Sequence, residues 1–200
     1  MAKQMSYKAT SKSPYIGKGQ AGNPVLVASD INIAGASSVT LDCFTDDFIW
    51  YEIYFYELQS DSTTSDTYLR WNLRAGGSDL TSSSYHQAWR WLGMTGSGDN
   101  SANYSSTTTL QLGPPGRLDN DNGSAFTGIA QIDARTTNLV IFYIDYIHNE
   151  AGSGGNWHGT GAIHYDNSGT KIDGFKVYLT TSSSPNEDFD GGAIYVYGYR

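Results

Sequence analysis

The chain has 200 residues, of which 38% are apolar, 14% are aromatic and only 16% are charged. A chain of this length favours a single domain whose core is large enough to need no disulfide. The formal net charge of −8 argues against nucleic-acid binding by the body of the protein, because a phosphate backbone selects basic surfaces. Low charge together with 23 glycines and 15 tyrosines indicates an all-β protein rich in turns.

Three further features narrow the class of protein. Residues 1–20 lack the apolar stretch of a signal peptide, so we expect synthesis in a cytoplasm without one. No run of about 18 apolar residues occurs, which predicts no membrane insertion by a helix. The one cysteine, Cys43, excludes an internal disulfide. It alternates with Val39 and Leu41, which favours a small core residue over a nucleophile.

Residues 1–24 have no sustained periodicity and are interrupted by proline and glycine, which predicts an extended N-terminal arm. The first 29 residues contain no acid and four basic residues: Lys3, Lys8, Lys12 and Lys18. The rest of the chain therefore holds eight basic and 20 acidic residues. Two interpretations stay open. The arm either docks on an acidic neighbour, including a second copy of the same protein, or it is a solvated tail.

The first strands are expected at residues 25–33 and 37–44, where the side chains alternate with period two. The segment DDFIWYEIYFYEL, residues 46–58, predicts a third strand. One of its faces holds Ile49, Tyr51, Ile53 and Phe55, and the other holds Trp50, Glu52, Tyr54 and Tyr56. Because Glu52 sits mid-strand among aromatic residues, we expect the second face to meet water or a partner.

The segment TYLRWNLRA, residues 67–75, alternates most cleanly. Its expected inward residues are Leu69, Trp71 and Leu73, and its expected outward residues are Tyr68, Arg70, Asn72 and Arg74. After a loop, residues 85–92 predict a strand that places four side chains on one face: Tyr85, Gln87, Trp89 and Trp91. Shorter strands are expected at residues 107–113 and 125–134.

Residues 138–150, NLVIFYIDYIHNE, are apolar on both faces, which predicts a central strand buried on both sides. A helix is the alternative, but the β-branched and aromatic residues favour a strand. Three more strands are expected at residues 157–165, 170–180 and 192–200. About nine to eleven antiparallel strands separated by polar turns predict a β-sandwich or jelly roll over residues 25–200.

The chain ends on an aromatic strand rather than on a polar tail. Ile194 and Val196 alternate with three tyrosines, Tyr195, Tyr197 and Tyr199. A terminal strand of this kind needs its backbone groups paired by strands distant in sequence. We therefore expect it to insert between earlier strands or to close an edge.

Two stretches of the chain resemble a broad group of tailed-bacteriophage virion proteins. In the segment TKIDGFKVYLTTSS…GGAIYVYGYR the matching positions are Ile172, Gly174, Phe175, Tyr178, Gly192, Ile194, Val196, Tyr197 and Gly198. The earlier stretch, from Phe44 to Trp89, resembles the opening sheet of the same group. With what lies between them, the two stretches cover roughly residues 40–200.

This resemblance implies a β-sandwich module on the virion surface, often trimeric, of the tail-fibre, receptor-binding or capsid-decoration type. The chain departs from the fibre version because it has no repetitive shaft and no coiled-coil segment. Without a shaft, the resemblance implies a compact subunit that its N-terminal arm anchors to the particle.

No sequence motif predicts catalysis, a metal or a nucleotide. There is no G-x-S-x-G and no phosphate-binding glycine loop. The Asp/Asn-rich loop at residues 118–124 offers oxygen ligands for calcium but departs from the EF-hand pattern, so a self-bonded turn explains it equally well. The acidic stretch at residues 187–190 is open to the same two interpretations. A zinc pair of His158 and His164 has no further support.

Aromatic side chains beside polar groups are typical of sugar-binding sites, because an apolar sugar face stacks on a ring. The candidates for glycan or partner contact are Trp89, Trp91, Trp157 and His158. Glycines flank Trp157 and His158, which suggests an exposed loop tip. The more common interpretation of tryptophan in a β-sandwich is a core or subunit-interface residue.

The sequence and the resemblance together predict a non-enzymatic structural protein exposed on a tailed-phage virion, without a cofactor. It is expected to be made in the host cytoplasm, to form a homo-oligomer, most simply a trimer, and to contact other virion proteins of the capsid or tail through Lys3 to Lys18. The alternative is a lectin-like module that binds a host surface glycan.

Overall fold

The computed structural model describes residues 23–62, 67–93, 99–112, 117–118, 124–133, 139–149, 156–166, 169–181 and 187–200. Every regular element in these ranges is a β-strand, which confirms the predicted all-β class. Among these residues there is no helix of the length and apolarity that crossing a membrane requires. The predicted arm, residues 1–24, lies outside the described ranges except for Asn23 and Pro24.

The described residues form fourteen strands. In chain order they are β1 Val25–Asp30, β2 Ser38–Leu41, β3 Trp50–Ser60, β4 Thr67–Ala75, β5 Ser78–Asp79, β6 Tyr85–Gly93, β7 Asp99–Thr107, β8 Leu110–Gln111, β9 Arg117–Leu118, β10 Ala125–Ile132, β11 Leu139–Asn149, β12 Asn156–Asp166, β13 Gly174–Thr181 and β14 Phe189–Tyr199. Eleven have four residues or more, and β5, β8 and β9 have two residues each. A two-residue strand is too short to show a period, so β5 and β9 are absent from the sequence-based prediction, and β8 lies inside the longer strand expected at residues 107–113.

The long strand β7 is absent from the sequence-based prediction. Its sequence, DNSANYSST, is polar and mostly exposed. It lies beside β6 at the edge of the large sheet. An edge strand that meets solvent on both faces has no apolar alternation by which to predict it.

The strands form two antiparallel sheets. The large sheet has the order β1-β14-β3-β10-β11-β12-β6-β7. The small sheet has the order β2-β13-β4, and the free side of β4 pairs in succession with the short strands β5, β8 and β9. Because consecutive strands often belong to different sheets, most of the architecture depends on pairing between distant parts of the chain.

One core of apolar side chains lies between the two sheets. Phe55 of β3 meets Trp71 of β4 edge to face, with ring centroids 5.6 Å apart. Trp71 also packs against Phe175 of β13 at 5.2 Å. Such aromatic pairs contribute about 0.5–1.5 kcal/mol beyond the area they bury. This packing of sheet on sheet confirms the predicted β-sandwich.

The last strand, β14, lies between β1 and β3, as the sequence predicted for a terminus tied down by distant strands. Ile194 and Val196 point into the core and are fully buried. Near its start the pairing with β3 shifts register on either side of Gly191. Gly192 follows with φ of 120°, and a Cβ there would lie 2.9 Å from the Leu58 Cα, so glycine is required.

The prediction that β11 is buried on both faces is wrong. Ile144, Tyr146 and His148 are buried, whereas Tyr143 and Ile147 are 61% and 49% exposed. The small sheet covers only the inner face of the large sheet, so the outer side of β11 stays uncovered. Apolar composition alone does not distinguish a face buried in the core from an apolar face that meets solvent.

The predicted outward position of Asn72 is also wrong, because Asn72 is only 3% exposed. Its Nδ2 donates to the carbonyl oxygens of Leu80, at 3.0 Å, and Thr108, at 2.9 Å. Its Oδ1 accepts from the hydroxyl of Tyr178 at 2.8 Å. The segments that flank β4 therefore cover this side of the small sheet, and the side chain of Asn72 donates hydrogen bonds to their backbone carbonyl groups.

Candidate functional site

Tyrosines form a row on the outward face of the large sheet. In the antiparallel pair of β3 and β14, Tyr195 lies opposite Tyr54 and Tyr197 lies opposite Glu52. Directly opposed residues of an antiparallel pair point to the same face. The rings of Tyr54 and Tyr197 meet edge to face with centroids 5.5 Å apart. Two alternating patterns from distant parts of the chain thus form one aromatic surface.

At the end of this row the ring of Tyr199 stacks on Trp50, with centroids 4.0 Å apart and planes 10° from parallel. Trp50 begins β3 and Tyr199 ends β14. The stacked pair therefore lies at the rim of the aromatic surface, next to Arg200.

Ile49 shares the predicted face of Tyr51 and Ile53, but it precedes β3 and is 44% exposed.

An open groove of about 630 Å³ crosses this face from β14 to β12. We call it the tyrosine groove, and its outward-facing lining consists of Pro24, Tyr54, Tyr56, Thr127, Ile129, Asp145, Ile147, His158, Tyr195, Tyr197 and Tyr199. Most of this lining is ring and aliphatic surface, and the charged side chains lie at the β11–β12 end. Such a lining binds flat apolar groups and offers hydroxyls to polar ones.

A second hollow of about 680 Å³ continues the same face toward β6. It shares Ile129 and Asp145 with the tyrosine groove and adds Glu52, Gln131 and Tyr143. The two hollows therefore belong to one surface, which spans most of the large sheet.

Exposed apolar side chains are concentrated on this surface. Six of the nine large apolar residues that are exposed in the described part of the chain lie on it: Leu26, Tyr56, Leu92, Ile129, Tyr143 and Ile147. A contiguous exposed apolar patch marks an interaction site more often than a bare surface. We therefore take the outer face of the large sheet as the candidate functional site.

Glu52 organises the polar groups at the centre of this face. Its Oε2 accepts hydrogen bonds from the hydroxyls of Tyr54, at 2.9 Å, and Tyr199. Its Oε1 accepts from Nε2 of Gln131 at 3.0 Å. Burial, followed by the hydrogen bond to Glu52, raises the pKa of both tyrosines. The hydrogen bonds to Glu52 hold the two rings in fixed positions.

Asp145 and His158 form a surface pair at the far end of the groove. Oδ1 of Asp145 lies 2.7 Å from Nε2 of His158, and the two side chains are 67% and 43% exposed. Exposed pairs of this kind contribute about 0–1 kcal/mol to stability. The pair therefore matters more for the polarity it gives the groove than for the stability of the fold.

Trp89 is not a surface contact, contrary to the sequence-based hypothesis. It is 3% exposed, and its Nε1 donates to Oε1 of Gln87 at 3.1 Å inside the sandwich. Its ring occupies the space above Gly161, where an added Cβ would lie 2.2 Å from a ring carbon. Gly159 is related in the same way to the ring of Tyr146, at 2.3 Å.

These glycines also correct the expectation of an exposed tip around Trp157 and His158. Both residues belong to β12, and the glycines beside them make room for buried rings. Trp157 is half-buried on the inner side of β12, where it pairs with Gly93 of β6. Trp91 is half-buried and packs against the core. Of the four predicted contact residues, only His158 lies in the tyrosine groove.

The other predicted sites have separate outcomes. Lys3, Lys8, Lys12 and Lys18 lie outside the described residues, as does most of the loop at residues 118–124, and Ser124 at its end is buried. His158 and His164 do not converge as a zinc pair, because His164 stacks on His86 with centroids 5.2 Å apart. The described ranges contain no group of three or more His, Cys, Asp or Glu placed to hold a metal ion.

Cys43 packs against the core between the sheets, as predicted. Burial raises the pKa of its thiol, and the nearby carboxylates of Asp42 and Asp173 raise it further. A thiol in such surroundings stays protonated and is a poor nucleophile.

The tyrosine groove was only partly visible in the sequence. The alternation along residues 50–56 and 194–199 indicated two outward aromatic faces, and Glu52 suggested that one of them meets water or a partner. The sequence does not indicate that these two strands are neighbours, so it does not join their tyrosines into one surface, and the tryptophans are the more obvious candidates for a site.

Comparison of the chain with protein-family models, with curated proteins and with solved structures found no significant match. The resemblance to tailed-phage virion proteins therefore depends on the short sequence motifs described above.

Proposed function

We propose that this chain is a non-enzymatic structural protein exposed on the surface of a tailed-phage particle, where it acts as a capsid-decoration or tail-fibre-type module. It assembles as a homo-oligomer, most simply a trimer, and its basic N-terminal arm anchors it to other virion proteins. The outer face of the large sheet, with its tyrosine groove, is the contact surface. The observation that carries this proposal is the position of β14, whose motif closes the sandwich between β1 and β3.

The residues that carry the resemblance occupy structural positions. Ile172, Phe175 and Val196 are fully buried. Gly174 and Gly198 sit where a Cβ would lie 2.4 Å from the backbone oxygen of Leu41 and 2.5 Å from the ring of Phe48, respectively. The motif therefore describes how a sandwich is closed by its last strand. These structural positions support an architecture shared with the virion proteins, and they give no information about catalysis or ligand binding.

The exposed apolar face supports a role in assembly. A subunit that functions alone gains little from exposing six large apolar side chains on one sheet, whereas an oligomer or a particle surface buries them. The acidic body also suits a basic partner, because the residues outside the arm include more acidic than basic side chains.

The test is quantitative analysis of purified particles by mass spectrometry, with an antibody against the body to locate the protein by electron microscopy. A head decoration is expected on the order of hundreds of copies per particle, and a tail-fibre module in tens or fewer. Absence of the protein from intact, washed particles would contradict the proposal.

The anchoring role of the arm has its own test. A chain that lacks residues 1–23 is expected to incorporate poorly into particles, and raised salt is expected to release the full-length protein, because exposed charge pairs are screened. A matched control keeps the length of the arm and replaces Lys3, Lys8, Lys12 and Lys18 with glutamine. Normal incorporation of both variants would refute the anchoring role.

A second candidate is a lectin-like module, and the tyrosine groove favours it. Sugars stack their apolar faces on rings while carboxylates and amides bind their hydroxyls, and the outer face offers Tyr56, Tyr197, Gln131 and Asp145. On a glycan array, this candidate predicts specific binding that Tyr56→Ala abolishes. Trp157→Ala is expected to leave binding intact, because Trp157 lies on the inner side of β12.

A further inference from the structure

We propose that His86 and His164 form a two-histidine binding site for a divalent transition-metal ion on the outer face of the large sheet. The ion belongs to the class that binds imidazole nitrogen well, which includes Cu²⁺, Ni²⁺ and Zn²⁺. This metal site is separate from the tyrosine groove, and it does not depend on the proposed virion role.

The strand register places the two histidines directly opposite each other. His86 of β6 and His164 of β12 are partners in the antiparallel pair. Directly opposed residues point to the same face of a sheet, with Cβ atoms about 4.5–5.5 Å apart. That face is the outer one, because His164 is separated from His158 of the tyrosine groove by an even number of positions along β12.

The two imidazole rings are close enough to share one ion. Their centroids are 5.2 Å apart and their planes are 25° from parallel. Two ring nitrogens that bind the same zinc ion lie about 3–3.5 Å apart, because each is about 2.0–2.1 Å from the metal. Rotation about the Cβ–Cγ bond, which is soft in histidine, brings one nitrogen of each ring to this separation. The backbones of β6 and β12 therefore already hold the two side chains at chelating distance.

One nitrogen of this histidine pair lacks a hydrogen-bond partner. Nε2 of His164 is shielded from solvent and makes no hydrogen bond with any residue that the structure describes. Buried polar atoms are nearly always paired, so an exception calls for an explanation such as an ion. A metal ion held between the rings would supply the missing partner. Nε2 of His158, in contrast, already lies 2.7 Å from Oδ1 of Asp145.

Small side chains beside the histidines leave room for an ion and its waters. The next outward pair along the two strands is Ala88 opposite Ala162, and both are exposed. On the other side of β6, a register shift places Ser105 and Ser106 of β7 opposite His86, and both serines are exposed. An ion bound here keeps its remaining coordination positions for water or for a donor group of a partner.

The charges around the pair are compatible with a bound cation. Asp166 is exposed and lies two residues beyond His164, on the same face of β12. Arg90, the basic residue nearest to His86 along β6, is paired with Asp99. The described ranges hold no third His, Cys, Asp or Glu placed to join the pair around an ion. Two imidazole nitrogens and water are therefore the expected ligands.

The test titrates the untagged full chain with Cu²⁺, the tightest-binding ion of the series, and follows the bound ion by electron paramagnetic resonance. The expected result is one ion per chain with two imidazole nitrogens as ligands. His86→Gln and His164→Gln are each expected to weaken binding about tenfold or more and to leave one nitrogen on the ion. His158→Gln, on the same face of β12, is the control and is expected to change neither. Unchanged binding in either of the first two variants would overturn the proposal, as would the absence of binding.

A measurement on the unaltered chain separates loss of the metal site from loss of the fold. In nuclear magnetic resonance spectra, added Zn²⁺ is expected to shift the ring signals of His86 and His164 and to leave those of His158 in place. Mg²⁺ is the control ion, because it prefers oxygen ligands, and it is expected to shift none of them. Ring signals of His86 and His164 that stay constant in excess Zn²⁺ would overturn the proposal. Both experiments need only the isolated protein, so their failure is distinguishable from failure of the proposed virion role.

Discussion

At the scale of single residues, glycines and one buried amide decide how the sandwich packs. Gly159 and Gly161 of β12 lie beneath the rings of Tyr146 and Trp89. Each ring covers a backbone that carries no side chain on its inner side. Aromatic residues and glycines on neighbouring strands therefore act as matched pairs in this core.

Gly161→Ala is expected to destabilise the protein by about 1–3 kcal/mol, the usual cost of overpacking a core. The new Cβ would lie 2.2 Å from the ring of Trp89, and the ring has no free space to move into because it is buried. The measurement is the urea midpoint followed by tryptophan fluorescence. The control is Ala162→Val on the exposed side of the same strand, and equal midpoints for the two variants would contradict the packing argument.

Asn72→Ala is expected to cost about 1–3 kcal/mol, the usual cost of leaving a buried polar group unsatisfied. The substitution removes the donor to the carbonyl oxygen of Thr108, whereas the carbonyl oxygen of Leu80 keeps the hydroxyl of Tyr85 and the hydroxyl of Tyr178 keeps that of Thr109. The free energy of unfolding by urea checks this, with Asn103→Ala on the exposed edge strand β7 as the control. A loss of less than about 1 kcal/mol for Asn72→Ala would show that the network is dispensable.

At the scale of elements, β14 joins the two ends of the chain. It pairs with β1, which follows the arm, and with β3, which carries half of the tyrosine row. Removing it would separate β1 from the large sheet and would expose the edge of β3. The same strand thus supports the fold and builds the candidate site.

Deletion of residues 193–200 is expected to abolish the native fold, because it removes the buried side chains of Ile194 and Val196 together with the backbone partners of two strands. Circular dichroism and limited proteolysis measure this outcome. Deletion of Arg200 alone, whose exposed guanidinium lies over the ring of Phe48 at 5.4 Å, is the control and is expected to keep the fold. A folded, protease-resistant protein after the longer deletion would contradict the role of β14.

At the scale of the whole molecule, buried tyrosines set the alkaline limit of stability. Burial raises the pKa of Tyr85 and Tyr146 above the ordinary value of 10.0. Above pH 10 the unfolded chain releases these protons while the native chain keeps them, so stability is complete below pH 10 and falls as the pH rises past it. The slope is about 1.4 kcal/mol per pH unit for each such tyrosine.

Urea midpoints are therefore expected to fall steeply above about pH 10. Phenolate absorbance at high pH is expected to rise in the same transition as unfolding, because Tyr85 and Tyr146 ionise only when they reach water. Tyr146→Phe is the control that removes one ionisation and makes the fall shallower. Midpoints that stay constant through this range would contradict the prediction.

Much of the fold was readable from local pattern. Alternation along residues 67–75 and 194–199 predicted strands and their buried faces, because a pleated strand turns successive side chains to opposite sides. The pattern failed at Asn72, which the segments flanking β4 cover, and at β7, which has no buried face. In both places the burial of a residue depends on what lies beside it in space.

By itself the sequence determined the all-β class, the position of most long strands and the inward or outward direction of their side chains, because these follow from residues that are near one another in the chain. Only the tertiary structure decided that β3 and β14 are neighbours, that Trp89 is buried while Ile147 is exposed, and that Pro24 lies at the tyrosine groove. Pairing between strands more than a hundred residues apart is set by the packing of the whole core, and no local pattern encodes it.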